Sequence, residues 1–154
     1  KENKMKKIIL FRIGVLALLI VTSCNLFAQT ERDTLLIKET ALNYIEGLYT
    51  NNYERMEKAL HPELAKRVIN KDENENYRLS NMGYSELIYY SKTWKPKFEN
   101  PKEEFKADII IFDISYDIAT IKVTQNKYKF FDYIHLGKID GEWKIINLLW
   151  ARTE

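Results

Sequence analysis

Cysteine is almost missing from this 154-residue chain, and the single one, Cys24, falls inside an apolar N-terminal stretch. An exported chain with no disulfide must be held by its core alone, and an aromatic content of 13% gives that core bulk. Two histidines with no His-Glu-x-x-His spacing, and no cysteine pair, leave no dedicated zinc site. The five glycines are scattered, so there is no Gly-rich phosphate loop, and Gly-x-Ser-x-Gly does not occur. No cofactor is expected. No basic cluster with interleaved aromatics lies on one element, which argues against nucleic acid as a partner. None of these absences excludes acid-base chemistry by carboxylates.

The first 28 residues read as a signal peptide. Met5-Lys6-Lys7 is basic, Ile8 to Ser23 is apolar apart from Arg12 and Thr22, and Asn25-Leu26-Phe27-Ala28 ends on a small residue. A second processing site competes with cleavage after Ala28. Val21-Thr22-Ser23-Cys24 resembles a lipobox, in which an acylated Cys24 would anchor the protein to a membrane. Either way the product is exported, to the periplasm or beyond. Removing the leader takes away five basic residues (Lys1, Lys4, Lys6, Lys7, Arg12) and one acidic (Glu2), so a net charge of +2 becomes about −2. The remaining residues 29–154, about 126 of them, suffice for one domain and are too few for two.

Phe105 to Arg152 has the pattern of long strands joined by tight turns. Asp140-Gly141 between alternating runs calls for a two-residue hairpin, because both positions of a type I′ turn need positive φ. An unbroken register from that turn puts Phe130, Asp132, Ile134, Leu136, Trp143, Ile145, Asn147 and Leu149 on one face. Phe131, Tyr133, His135, Ile146, Leu148 and Trp150 fall on the other. A turn at Tyr116-Asp117 likewise groups Ile110, Phe112 and Ile114 with Ala119, Ile121 and Val123, a wholly apolar face suited to covering helices.

Upstream, the period is helical. Ile37, Ala41, Tyr44 and Leu48 recur at three- and four-residue steps, and Asn52 can cap a second helix with Tyr53, Met56 and Leu60 inward, ending at Pro62. Leu64–Ile69 and Tyr77–Ser80 read as a short hairpin across the polar Lys71–Asn76, and Gly83–Tyr90 as a third helix. Helices followed by a long antiparallel sheet make an α+β arrangement.

Three segments carry a resemblance: Ala41–Gly47, Glu54–Arg67, and Asp132–Leu136 with Gly141–Asn147. Together they closely resemble the putative lumazine-binding family of the nuclear-transport-factor-2-like superfamily, cone-shaped α+β domains with a cystatin-like fold. The resemblance spans nearly all of the chain after the leader. It implies a pocket between the concave sheet face and the helices, and dimers through the outer sheet face. It names no reaction, because that fold hosts dehydratases, isomerases, cyclases and proteins without catalytic role.

Within the unbroken register, Asp132 and Asn147 are the polar residues of the inner face away from the turn, diagonal on neighbouring strands. A carboxylate there would be partly desolvated and its pKa raised, which suits a general acid or base. Asp132 is therefore the catalytic candidate, and Asp132, Asn147, Tyr44 and Trp143 are the ligand-binding candidates. The plain alternative is that Asp132 only accepts hydrogen bonds from a tyrosine or a turn. His61, before Pro62, suits a helix-end cap, and His135 falls on the face away from Asp132. The outer set Phe131, Tyr133, His135, Ile146, Leu148 and Trp150 is apolar enough to expect a homodimer. Three function classes stay open: an exported small-molecule-binding or accessory domain, an isomerase, dehydratase or cyclase using Asp132, and a non-catalytic interaction protein.

Overall fold

The hairpin turn forms at Asp140-Gly141 as the sequence reads, with φ of 51° and 83° at the two positions, and the sheet is built outward from it. The structure is a computed structural model that describes residues 30–95, 98 and 101–153. The leader, Cys24 and both processing sites lie outside the described residues. Two compact units are distinguished, Lys1–Leu35 and Leu36–Glu154. Of the first, residues 30–35 are described and are helical. The second holds the sheet and the helices packed against it. No helix among the described residues is long and apolar enough to cross a membrane.

Within this second unit, helix α1 covers residues 36–49. Its stripe of Ile37, Ala41, Tyr44, Ile45 and Leu48 is buried, as the period requires. Asn51, with φ 55°, ends the helix in the left-handed conformation that an asparagine tolerates. Its amide donates to the carbonyls of Ser91 (2.7 Å) and Trp94 (2.6 Å), tying this corner to a later helix. Helix α2, Tyr53–Ala59, is capped by Asn52, whose side chain accepts from the Arg55 N–H at 3.1 Å. It stops before Leu60, which is already extended, rather than at Pro62. Strand β1 (Leu60–Lys71) and β2 (Tyr77–Gly83) form the expected hairpin, followed by α3 (Tyr84–Thr93). His61 accepts from the Glu63 N–H at 3.2 Å, a local backbone role.

Strands β3 (Ala107–Ser115), β4 (Ile118–Gln125), β5 (Phe130–Ile139) and β6 (Glu142–Arg152) complete one six-stranded sheet of order β2-β1-β6-β5-β4-β3. Every pairing is antiparallel except β1 with β6, which is parallel. The core lies between the helices and one face, joining Ile37, Tyr44 and Ile45 to Ile121, Ile134, Leu136, Ile145 and Leu148.

Each main hairpin keeps its turn-defined register for only a few pairs. In β5-β6 the pairing runs Ile139 with Glu142 to Leu136 with Ile145, then slips so that His135 faces Asn147 and Asp132 faces Trp150. In β3-β4 it slips between Ile111 and Asp113, so that Ile111 faces Ile121 and Ile109 faces Val123. One extra residue in a strand reverses the faces beyond it and sharpens the twist, which curves the sheet around the helices. Leu148 and Trp150 therefore turn inward, Asn147 and Leu149 outward, and Ile110 and Phe112 are exposed. The inner and outer sets drawn from an unbroken register are corrected accordingly.

Gly47 sits where α1 approaches α2: a Cβ there would lie 2.7 Å from Met56 Cγ and 3.1 Å from the Asn52 carbonyl oxygen. Gly47→Ala gains about 1 kcal/mol of helix propensity but overpacks the fully buried Met56 at a cost of about 1–3 kcal/mol. A lower urea midpoint with an unchanged slope is expected. A higher midpoint would show that the corner has room.

Candidate functional site

Alternation along β1 turns Leu64, Lys66 and Val68 to the interior. Lysine is almost never buried unless paired, yet Lys66 is 6% exposed. Its partners come from two other elements. Asp132 of β5 is fully buried between Val123 of β4 and Trp150 of β6. Tyr44, also fully buried, descends from the middle of α1. Lys66 Nζ donates to the Tyr44 hydroxyl oxygen at 2.5 Å and lies 3.3 Å from Asp132 Oδ1. The Tyr44 hydroxyl in turn donates to the Asp132 carboxylate at 3.4–3.5 Å. The ammonium also stands 5.2 Å from the Tyr44 ring centre, 5.3 Å from that of Phe130 and 5.5 Å from that of Trp150.

Burial is the largest influence on Asp132 and pushes its pKa upward; the Lys66 charge and the hydrogen bonds from Lys66 and Tyr44 pull against it. Burial first, and then the Asp132 charge, hold the Tyr44 hydroxyl well above its ordinary value.

Next to this cluster opens a cavity of about 670 Å³. Its walls include Lys66, Trp94, Tyr128, Phe130, Trp150 and Arg152. The rings are arranged face to face: Trp94 and Tyr128 stack at 4.9 Å, and Tyr128 and Phe130 at 5.3 Å. Tyr128 lies in the β4-β5 connection, which Gln125 fastens. The Gln125 amide donates to the Tyr128 and Phe130 carbonyls (2.8 and 2.9 Å), and its oxygen accepts from the Lys127 and Tyr128 N–H groups (2.8 and 2.6 Å). The Tyr128 hydroxyl is buried and has no hydrogen-bond partner among the described residues. Burial raises its pKa.

Of the four residues expected around a ligand, the structure brings Asp132 and Tyr44 together and leaves two elsewhere. Neither Asp132 nor Tyr44 is part of the cavity wall; Lys66 stands between them and the open space. Asn147, turned by the bulge, is on the outer face, where its amide donates to His135 Nδ1 at 3.0 Å and its oxygen accepts from Arg67 at 3.0 Å. Trp143 is buried near the turn, with its carbonyl accepting from Thr40 at 3.2 Å, and does not line the cavity. Lys66 and Tyr128 were missed. The β1 alternation carries the signal for the first; the second lies in a strand connection with no period to read.

The family described as "Putative lumazine-binding" matches residues 32–151. Among solved structures, the chain is similar to an NTF2-like protein of unknown function from Shewanella baltica OS155, at 20% identity and a TM-score of 0.64 over 80% of this chain and 95% of that one. A second NTF2-like protein of unknown function, from Methylobacillus flagellatus KT, is 23% identical with a TM-score of 0.61 over 80% and 94%. A ketosteroid isomerase-like protein from Erwinia carotovora atroseptica SCRI1043 is 10% identical with a TM-score of 0.54 over 78% and 95%. No curated protein matches. At these identities the structural likeness carries the cone-shaped fold, and the site has to be read from its own residues.

A carboxyl whose pKa is higher folded than unfolded stabilises the protein at low pH and loses that contribution as pH rises through the folded value. Because Asp132 is raised from 3.8, the unfolding free energy of the wild type is expected to fall relative to that of Asp132→Asn as pH is increased above about 4. Chemical denaturation of both proteins from pH 4 to 8 measures this. A difference that is flat, or that moves in favour of the wild type, would mean that Lys66 outweighs burial.

Proposed function

Because the chain belongs to the putative lumazine-binding family, on a nuclear-transport-factor-2-like fold, we propose that it is an exported small-molecule-binding or accessory domain whose ligand occupies the cavity beside Lys66. The observation that carries this reading is the cavity itself: about 670 Å³, walled by stacked aromatic rings with the buried Lys66 ammonium on its wall. Ligand sites run to about 300–1,000 Å³, mostly apolar with a few placed polar groups. A cone filled by its own side chains would leave no such space. Direct acid-base catalysis by Asp132 has less support, because its carboxyl is fully buried and Lys66, not Asp132, meets the cavity.

Self-association through the outer sheet face is a second part of the proposal. Ile110, Phe112, Tyr133 and Leu149 are each at least 41% exposed. Lys122 lies over the Phe131 and Tyr133 rings at 4.6 and 5.7 Å. The bulge takes Leu148 and Trp150 out of the outer surface that an unbroken register would give and puts Leu149 in their place. An apolar sheet face of this kind suits a two-fold contact with a second copy.

One measurement, native mass spectrometry of protein purified from its host, addresses all three points. The expected result is a dimer of chains beginning at Gln29, each carrying a non-covalent mass that is lost on denaturation. Empty protein would contradict the binding reading and monomer alone would contradict the dimer. An acylated Cys24 at the N-terminus would replace soluble export with membrane anchoring, and an unprocessed leader would contradict export.

A further inference from the structure

Two hydrogen-bond donors on residues that line the cavity are left over. An ammonium carries three protons, and those of Lys66 are matched by the Tyr44 hydroxyl and Asp132 Oδ1, with no third acceptor among the described residues. The Tyr128 hydroxyl, on a side chain 8% exposed, has none at all among them. A buried donor left unmet costs about 1–3 kcal/mol, so a bound acceptor would recover what the protein forgoes.

Charge points the same way. Among the described residues of the cavity wall, Lys127 pairs with Glu103 at 3.8 Å, and Lys66 and Arg152 are further cations. Even with Asp132 set against Lys66 from behind, Lys66 and Arg152 leave positive charge in excess among the described residues, and a cleft lined by one sign of charge concentrates the opposite one. The wall adds the third constraint. Trp94, Tyr128 and Phe130 stack on one another and Trp150 stands edge-on to Phe130 at 5.6 Å, so the space beside Lys66 is bounded by aromatic rings.

We propose that the cavity takes an aromatic anion, its charge seated on Lys66 and an oxygen accepting from Tyr128. This rests on the binding reading above and narrows it to a chemical class. Binding does not require the Lys66 contact with Asp132 to break, because the third ammonium proton serves the ligand. Asp132 and Tyr44 act as positioning residues: they fix where the ammonium points and never touch the ligand.

The test uses 2-naphthoate and its neutral counterpart 2-naphthalenemethanol, with binding followed by quenching of tryptophan emission, since Trp94 and Trp150 line the cavity. The wild type is expected to bind the anion about tenfold more tightly than the alcohol, or better. Tyr128→Phe, which keeps the ring stack, should weaken the anion several-fold, on the order of one lost hydrogen bond, while leaving the unfolding midpoint unchanged or raised. Lys66→Met should erase the preference for the anion. If that variant does not fold, Asp132→Asn serves in its place, and it should bind the anion more tightly because Lys66 loses its competing counter-charge. Equal affinity for the two probes, a preference for the alcohol, or an anion preference that survives Lys66→Met would each overturn the proposal while leaving the binding reading standing. Failure of both probes to bind would overturn it too, and the host-purified protein would then decide whether the binding reading falls with it.

Discussion

The structure depends on holding a lysine inside it. Lys66, Asp132 and Tyr44 come from β1, β5 and α1, and all three are buried where the helix meets the sheet. Removing two charges from water costs several kcal/mol per ion, which their attraction repays only with good geometry and further hydrogen bonds. Tyr44 supplies those bonds, receiving from Lys66 and giving to Asp132. An apolar trio of similar volume would hold these elements together at least as well, so stability is a poor reason for the cluster. A cation aimed into a cavity is a better one.

Sheet curvature makes the arrangement possible. The slips after Leu136 and between Ile111 and Asp113 each turn a strand's far half over. The slip in β6 brings Trp150 beside Lys66, on the inner face that Phe130 of β5 already shares, next to the ring of Tyr128 from the β4-β5 connection. Without the β5-β6 bulge, Trp150 would face outward and the ammonium would lose one of its three aromatic neighbours. The same bulge decides which residues remain on the outer face for a second copy to meet.

Much of this was legible in the sequence, up to an identifiable limit. Asp140-Gly141 fixed the last hairpin, the stripe through Tyr44 fixed the buried side of α1, and together they placed Tyr44 and Asp132 in one interior. The bulges could not be read. In Ile145-Ile146-Asn147-Leu148-Leu149-Trp150 and in Ile109-Ile110-Ile111-Phe112, apolar residues occupy both parities, so a one-residue slip misplaces a single polar residue, Asn147, which an inner position made look like a pocket residue. Asn147 was drawn into the site by that unbroken register, whereas Trp143 keeps its expected buried position and lies too near the turn to line the cavity. The parallel β1-β6 pairing was equally hidden, because it joins strands far apart in the chain. Lys66 was overlooked because a lone lysine in an alternating strand is ordinarily read as its solvent side, and only its parity with Leu64 and Val68 says otherwise.

The central claim is that Lys66 and Asp132 form one energetically coupled unit beneath the cavity. A double-mutant cycle in chemical denaturation at pH 7, using Lys66→Met, Asp132→Leu and the pair together, tests it directly. The account predicts that removing the second partner costs less than removing the first, with a coupling of about 1–3 kcal/mol. Additivity within about 0.5 kcal/mol would contradict it, by showing that the two side chains are neighbours without being partners.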